Sequence, residues 1–329
     1  MRILITGAAG FIGSHYVRTM LSGGYPGYET VDVTVLDKLT YAGNRANLDP
    51  VAASPRLRFV QGDICDAALL ADLLPGHDAV VNFAAETHVD RSISGAADFV
   101  VTNVVGVQTL FQACLDARVP RVVQVSTDEV YGSIGHGSWS EGHPLEPNSP
   151  YAAAKAAADL LARAYVRTHG LDVTITRCSN NYGPYQFPEK VIPLFVTNLL
   201  RGDKVPLYGD GLNVREWLHV DDHCRGVQLV LERGRAGEVY HIGGGPELTN
   251  RELTQRLLDA CGATWESVQM VEDRKAHDRR YSLDCSKISA ELGYVAQVDF
   301  EAGLAGTIAW YRENRSWWEP LLARRAAAH

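Results

Sequence analysis

Ser126-Thr127-Asp128-Glu129 puts two hydroxyls and two carboxyls in a row, and downstream Tyr151-Ala152-Ala153-Ala154-Lys155 sets a phenol and an ammonium one helical turn apart. At i, i+4 spacing near a helix start, the tyrosine and lysine share a face. A neighbouring ammonium stabilises tyrosinate and lowers the phenol pKa, so Tyr151 can take a proton from an alcohol as hydride leaves its carbon. Tyr-x-x-x-Lys alone is common and reads equally well as an exposed helix pair. A strand-end hydroxyl at Thr127, able to hold the same oxygen, turns the set into an alcohol-oxidising site. Two adjacent carboxyls add a further capacity: one can act as base and its neighbour as acid if their surroundings separate their pKa values. Their plainer use is to cap the next turn.

Hydride transfer needs an acceptor, and Gly7-Ala8-Ala9-Gly10-Phe11-Ile12-Gly13 lies where the first strand gives way to the first helix. Glycines there let the backbone turn tightly, approach a pyrophosphate and pack helix on strand, while the helix N-terminus offers free N–H donors. The motif alone could be an ordinary βα turn. Asp37, ending the second strand 24 residues after Gly13, decides against that. A carboxylate at that position hydrogen-bonds the adenosine ribose and repels a 2′-phosphate, so the expected cofactor is NAD rather than NADP. Lys38 beside it works against that preference. Asp63 and Ile64, just past the third strand, fall where an adenine edge would lie, or form another strand-end turn.

These residues need a scaffold, and the chain can build one. It has 329 residues, 46% of them hydrophobic, and its 31 Lys and Arg against 39 Asp and Glu leave a formal charge of −8. Length suggests two domains at roughly 150 residues each, or one α/β domain with a smaller appendage. Net negative charge argues against a nucleic-acid partner or anionic lipid, both of which want a concentrated basic surface. No apolar run nears the ~18 residues of a membrane span, and the N-terminus reads as a buried strand rather than a signal peptide. A cytoplasmic location is expected. Cysteines 65, 114, 178, 224, 261 and 285 form no CxxC pair and read as reduced core thiols. His219, Asp221, Asp222, His223 and Cys224 look superficially like metal ligands, but the His-Glu-x-x-His order is missing and no third ligand is signposted. We expect no metal, and a helix start capped by Asp221.

Short strands rich in branched apolar residues are expected over 3–6, 31–37, 57–61, 79–83, 121–126 and 172–177, with helices over 11–22, 67–74, 92–117 and 151–169. That alternation is the doubly wound parallel βα pattern of a Rossmann-type α/β fold. From about 178 to 215, Pro, Gly, Tyr and Asn become dense, which suggests long functional loops. The expected division is a cofactor-binding domain over 1–180, to which the chain returns around 213–242, and a smaller substrate domain over 181–329.

With those residues in view, the chain resembles the extended short-chain dehydrogenase/reductases that act on nucleotide sugars, and among them the dTDP-glucose 4,6-dehydratases. The resemblance runs over most of the chain: Gly7 to Gly13, Phe83-Ala84-Ala85-Glu86-Thr87-His88-Val89-Asp90, Thr127-Asp128-Glu129-Val130-Tyr131-Gly132, Asn180-Asn181-Tyr182-Gly183-Pro184, Phe187-Pro188-Glu189-Lys190, Arg215-Glu216-Trp217 and the stretch from Arg274 to Asp278. The glycine and tyrosine motifs mark only the superfamily; Thr-Asp-Glu and Phe-Pro-Glu-Lys are more specific.

The resemblance implies dehydration of dTDP-glucose to dTDP-4-keto-6-deoxyglucose. Tyr151 and Thr127 would act at C4, Glu129 as base at C5 and Asp128 as acid at C6, with hydride returning to C6. It implies cofactor contacts from Gly7, Gly10, Phe11, Ile12, Gly13, Asp37, Lys38, Thr40, Asp63, Ile64, Ala84, Ala85, Thr102, Ser126, Tyr151, Lys155 and Asn180. For the substrate it implies Thr87, Asn181, Glu189 and Lys190 near the sugar and diphosphate, Pro206, Leu207 and Tyr208 near the thymine, and Arg215, Asn250, Arg274 and His277 completing the grip. Arg274 lies in a mixed charge run, 272–280, whose plainer reading is a solvated strip. Family precedent also implies a homodimer built on the helices 92–117 and 151–169. A nucleotide-sugar 4-epimerase, a dehydratase for another sugar nucleotide and a non-catalytic nucleotide sensor remain the alternatives. The epimerase has no use for an acidic pair at 128 and 129.

Overall fold

Branched apolar residues form the strands β1 (Arg2–Thr6), β2 (Asp32–Asp37), β3 (Leu57–Gln61), β4 (Ala79–Asn82), β5 (Val122–Thr127) and β6 (Val173–Cys178). Every residue of β4, β5 and β6 is buried, as a sheet covered on both faces requires. The computed structural model describes residues 1–327; Ala328 and His329 of the alanine-rich end lie outside the described residues. Beyond β6 come β7 (Asn180–Tyr182), β8 (Val205–Tyr208), β9 (Val214–His219), β10 (Val239–Ile242), β11 (Glu247–Thr249) and β12 (Val268–Val271). Seven strands make one parallel sheet in the order β10-β6-β5-β4-β1-β2-β3. This is a Rossmann-type doubly wound sheet. The chain direction switches between β1 and β4, where such sheets open a crevice at the carboxyl ends of their strands.

Helices cover both faces. On one face α1 (Phe11–Leu21) packs Tyr16, Val17 and Met20 beneath the sheet. The other face is covered by α2 (Ala67–Leu73) and a long interrupted run. That run comprises α3 (Val89–Ser94), α4 (Ala97–Val100), a π-helical stretch Val101–Gly106 and α5 (Val107–Asp116), and α6 (Pro150–His169) then packs beside it. Leu70, Leu110, Phe111, Ala158 and Ala162 share that core. A single helix was expected over 92–117, but extended backbone at Gly95, φ −161° and ψ 96°, breaks it. By length and composition Ala97–Asp116 is apolar enough to cross a membrane, which corrects the expectation that no stretch reaches that length. Scattered polar residues interrupt its apolar run without lowering its mean hydropathy enough to matter. Val107, Leu110, Phe111 and Cys114 nevertheless pack into the sheet.

The region 178–215 is more ordered than its composition suggests. It contains β7, α7 (Val191–Arg201) and β8 before β9 begins, with Pro193 tolerated in the first turn of α7. Next, α8 (Val220–Arg233) sends Val227, Val230 and Leu231 back under the large sheet, and β10 extends its edge. The cap of α8 is His219, whose Nδ1 accepts the Asp221 N–H at 3.3 Å, rather than the expected Asp221. Asp221 falls one residue inside the turn, and its carboxylate meets His15 Nε2 at 3.0 Å instead. Two small sheets, β11-β9-β7 and β12-β8, form a second layer with α7, α9 (Asn250–Cys261), α11 (Phe300–Glu313) and α12 (Arg315–Ala327), while α10 (Ser286–Leu292) packs Ile288 and Leu292 into the core of the large sheet beside β10 and α8. Phe195, Trp217, Leu253 and Trp318 lie in its core. All six cysteines are free, but only Cys114, Cys178 and Cys224 are buried; the other three are half-buried, which corrects the uniform core reading.

Candidate active site

The β1–α1 turn is shaped by contacts that only glycine permits. Gly7 has φ +66°, and a Cβ there would come within 2.5 Å of the Ala84 backbone nitrogen. At Gly13 a Cβ would lie 2.8 Å from both Ala8 and the Gly7 carbonyl. Helix α1 starts at Gly10 with no side-chain cap and no acid in its first turn, so its leading N–H groups face the cavity free for an anion. Asp37 closes the loop: its two carboxylate oxygens accept the N–H groups of Ala9 and Leu39, each at 2.8 Å. Lys38 pairs with Asp63 at 2.7 Å, so the charge expected to work against Asp37 is largely engaged. A dinucleotide with a free 2′-hydroxyl fits this cradle.

All the residues singled out from the sequence for proton transfer, cofactor or substrate line one cavity of about 530 Å³. Its middle is built by the end of β5 and the start of α6. Ser149 caps α6 through the Ala152 N–H at 3.1 Å, with Pro150 in the first turn, and this sets Tyr151 and Lys155 facing Thr127. Thr127 hydrogen-bonds the Asp128 carboxylate at 3.2 Å and accepts the Glu129 N–H at 3.2 Å.

The two acids occupy unequal settings. Asp128 is buried, and burial, then Glu129, then Glu216 hold its pKa well above the usual carboxylate range, with Arg215 opposing. Glu129 is also raised by burial, but Arg274, Lys190 and Arg215 all act to keep it ionised. Tyr151 runs against expectation: burial, then the Glu129 carboxylate, push its phenol up rather than down. The Lys155 ammonium is turned to the Val125 carbonyl at 2.6 Å, and burial lowers its pKa while Asp159 opposes that.

At the far end, loops from the second layer converge. Lys190 donates to the Thr87 carbonyl at 2.7 Å. Arg215 lies over the Tyr281 ring at 4.1 Å and donates to the Asp278 carbonyl at 2.9 Å. Within the charge run 272–280, Arg274 and His277 line the cavity, whereas Arg279 and Arg280 pair outside it with Asp210 and Glu247. The run is therefore only partly a solvated strip. Glu86, Cys178, Gln186, Phe187 and Tyr281 also line the cavity, though the sequence patterns assign them no role. Glu86 and Phe187 sit inside motifs already noted, whereas nothing in the spacing marks Cys178 or Tyr281. The histidines at 219 and 223 stand apart from this site, and among the described residues no group of three or more His, Cys, Asp or Glu is arranged to hold a metal.

A dinucleotide cradle opening directly onto a Thr-Tyr-Lys cluster is the arrangement of the extended short-chain dehydrogenase/reductases. The GDP-mannose 4,6 dehydratase family model matches residues 4–307. The dTDP-glucose 4,6-dehydratase of Streptomyces niveus is 62% identical over 98% of this chain and 96% of its own length. That of Streptomyces antibioticus is 64% identical over 99% and 97%. The crystal structure of DesIV, a dTDP-glucose 4,6-dehydratase from Streptomyces venezuelae solved with NAD bound, superposes with a TM-score of 0.97 at 70% identity, covering 98% of this chain and 100% of that one. The chain belongs to the dTDP-glucose 4,6-dehydratase family.

Proposed function

We propose that this chain converts dTDP-glucose to dTDP-4-keto-6-deoxyglucose, with the residues of the β5–α6 cluster dividing the proton transfers. NAD, bound along the β1–α1 cradle, supplies a hydride acceptor for C4, a hydride donor for C6 and, when oxidised, a positive charge that favours tyrosinate. Tyr151 takes the C4 hydroxyl proton, and Thr127 holds the same oxygen. The resulting ketone acidifies C5–H, and Glu129 removes that proton and gives one back to C5 once hydride has been delivered to C6. Asp128, held protonated by its burial, gives its proton to the departing C6 hydroxyl, and water leaves. Arg215 and Arg274 suit the diphosphate, since each guanidinium can donate two parallel hydrogen bonds.

The observation that carries this reading is the unequal setting of Asp128 and Glu129 beside Tyr151, because alcohol oxidation alone needs neither acid. Incubation with dTDP-glucose tests it. A 4-keto-6-deoxy product supports dehydration, a C4 epimer supports the epimerase, and bound but unaltered ligand supports a sensor. Competition among dTDP-, UDP-, GDP- and CDP-glucose tests the base.

We read residues 1–180, with the return through α8 and β10, as the NAD half and 181–329 as the nucleotide-sugar half. We further propose a homodimer. Val100, Val101 and Val105 are each about half exposed on the interrupted helical run, as is Leu160 on α6, so the two elements present an apolar face that a second copy would cover. A cytoplasmic location, where nucleotide sugars are made and cysteines stay reduced, suits the six free thiols.

A further inference from the structure

Tyr41 stands between the two ends of the cavity without lining it. Its neighbours Thr40 and Ala42 line the wall, as do Glu189 and Phe187 from the loop that precedes α7. The tyrosine belongs to the loop that leaves Asp37. That loop is tightly specified: Asp37 holds the Leu39 N–H at 2.8 Å, and Leu39 sits at φ +56°, a left-handed conformation that costs a non-glycine residue energy. The Asn44 N–H and the Asn47 side chain both bind the Ala9 carbonyl, at 2.9 and 2.8 Å, so the loop is strapped to the glycine turn.

From this strapped loop the Tyr41 side chain reaches across to the other half of the site. Its hydroxyl donates to Glu189 Oε1 at 3.0 Å. Its ring meets Phe187 edge-on at 5.7 Å and carries the Arg91 guanidinium 3.8 Å from its centroid. Arg91 in turn stands 3.8 Å from Glu189 Oε2. His88 Nε2 stands equally near that oxygen, at 3.8 Å, and Glu189 is buried, so Tyr41 shares the orienting of its carboxylate with Arg91 and His88 rather than with water.

We propose that Tyr41 is a positioning residue for the nucleotide sugar, transmitting the geometry of the cofactor-ribose loop to Glu189. The inference rests on Glu189 being a substrate contact, and its consequence is thermodynamic: NAD and the sugar nucleotide bind cooperatively, each favouring the other by the same factor.

Tyr41→Phe keeps the ring, and with it the Arg91 and Phe187 contacts, while deleting the hydroxyl. Loss of a hydrogen bond to a buried carboxylate predicts a rise in KM for dTDP-glucose of about tenfold or more. The kcat stays within about twofold, and bound NAD and Tm are unchanged. Glu189→Gln also raises KM, and the double variant is no worse than the poorer single one, as expected of residues acting as one unit. In wild type, saturating dTDP slows the exchange of bound NAD for labelled NAD in solution, and in Tyr41→Phe this slowing is reduced. An unchanged KM in Tyr41→Phe beside a raised KM in Glu189→Gln overturns the coupling and leaves the site reading intact. An unchanged KM in Glu189→Gln overturns both. Loss of bound NAD from Tyr41→Phe, or additive effects in the double variant, also overturns the proposal.

Discussion

Asp128 and Glu129 are covalent neighbours, yet Asp128 faces Glu216 and the apolar interior while Glu129 faces Arg274, Lys190 and Arg215. Both residues lie in the 3-10 turn Asp128–Tyr131 that follows β5, where successive side chains point about 120° apart, so one step along the chain carries a carboxyl from burial beside Glu216 to a setting in which three cations oppose its upward shift. That difference supplies an acid and a base at one pH.

The division of labour predicts two distinguishable variants. Glu129→Gln keeps size and hydrogen-bonding capacity but removes the base, so C4 oxidation persists while C5 keeps its proton. Reduced nicotinamide then accumulates on the enzyme, and in deuterated water C5 exchange is lost along with turnover. Asp128→Asn leaves the base in place, so C5 exchange outlasts product formation. Each should cost about 10²–10⁴-fold in kcat, and the contrast in exchange is what separates them. Near-normal exchange in Glu129→Gln removes its assignment as base.

Arg215 influences both charge and geometry at this site. Arg215→Ala withdraws a cation that favours ionised Glu129, so the acidic limb of the kcat profile moves to higher pH, and KM for dTDP-glucose rises. Arg215→Lys keeps the charge but not the planar fork, so it raises KM without moving the limb. Full pH profiles of both variants check this. Coincident limbs in all three proteins would separate Arg215 from the base.

The Asp37 carboxylate grips the glycine turn and its own loop, and Lys38 is committed to Asp63. NAD should therefore stay bound through purification, since it is regenerated in each turnover, and assay of the supernatant after denaturation detects it. Asp37→Asn should lower that content severalfold through weakened charge-assisted hydrogen bonds. Recovery of apoprotein that requires NADP contradicts the assignment.

His223 is fully buried with neither ring nitrogen hydrogen-bonded, and burial lowers its pKa from 6.5 to about 3. His241, which donates from Nδ1 to the Asp284 carbonyl and accepts the Tyr131 hydroxyl at Nε2, is lowered to about 3 as well, first by burial. Between those values the unfolded chain binds more protons than the folded one. This stability is thus fully present above about pH 6.5 and declines as pH falls toward 3, by up to ~1.4 kcal/mol per pH unit for each histidine. His223→Leu, similar in volume, should change Tm little at pH 8 and raise it at pH 5. A lower Tm than wild type at pH 5 would show that the imidazole is better satisfied than its surroundings indicate.

The parallel sheet, the glycine turn with Asp37 and the Tyr151–Lys155 face are legible along the chain, because each rests on local rules: branched apolar runs, backbone freedom at glycine and helical periodicity. So is the resemblance, carried by motifs such as Thr127-Asp128-Glu129. The distribution of charge over those residues arises from folding. Burial and groups distant in sequence raise Tyr151 where the adjacent lysine suggested lowering, commit Lys38 to Asp63, and oppose Arg274, Lys190 and Arg215 to Glu129. The break at Gly95 and the helix over 191–201 were hidden for a related reason. A glycine inside an apolar stretch and a proline near a helix start are each compatible with more than one local conformation, and packing selects among them. Electrostatics and packing depend on what lies across space, and Tyr41 reaches Glu189 over 148 residues of chain.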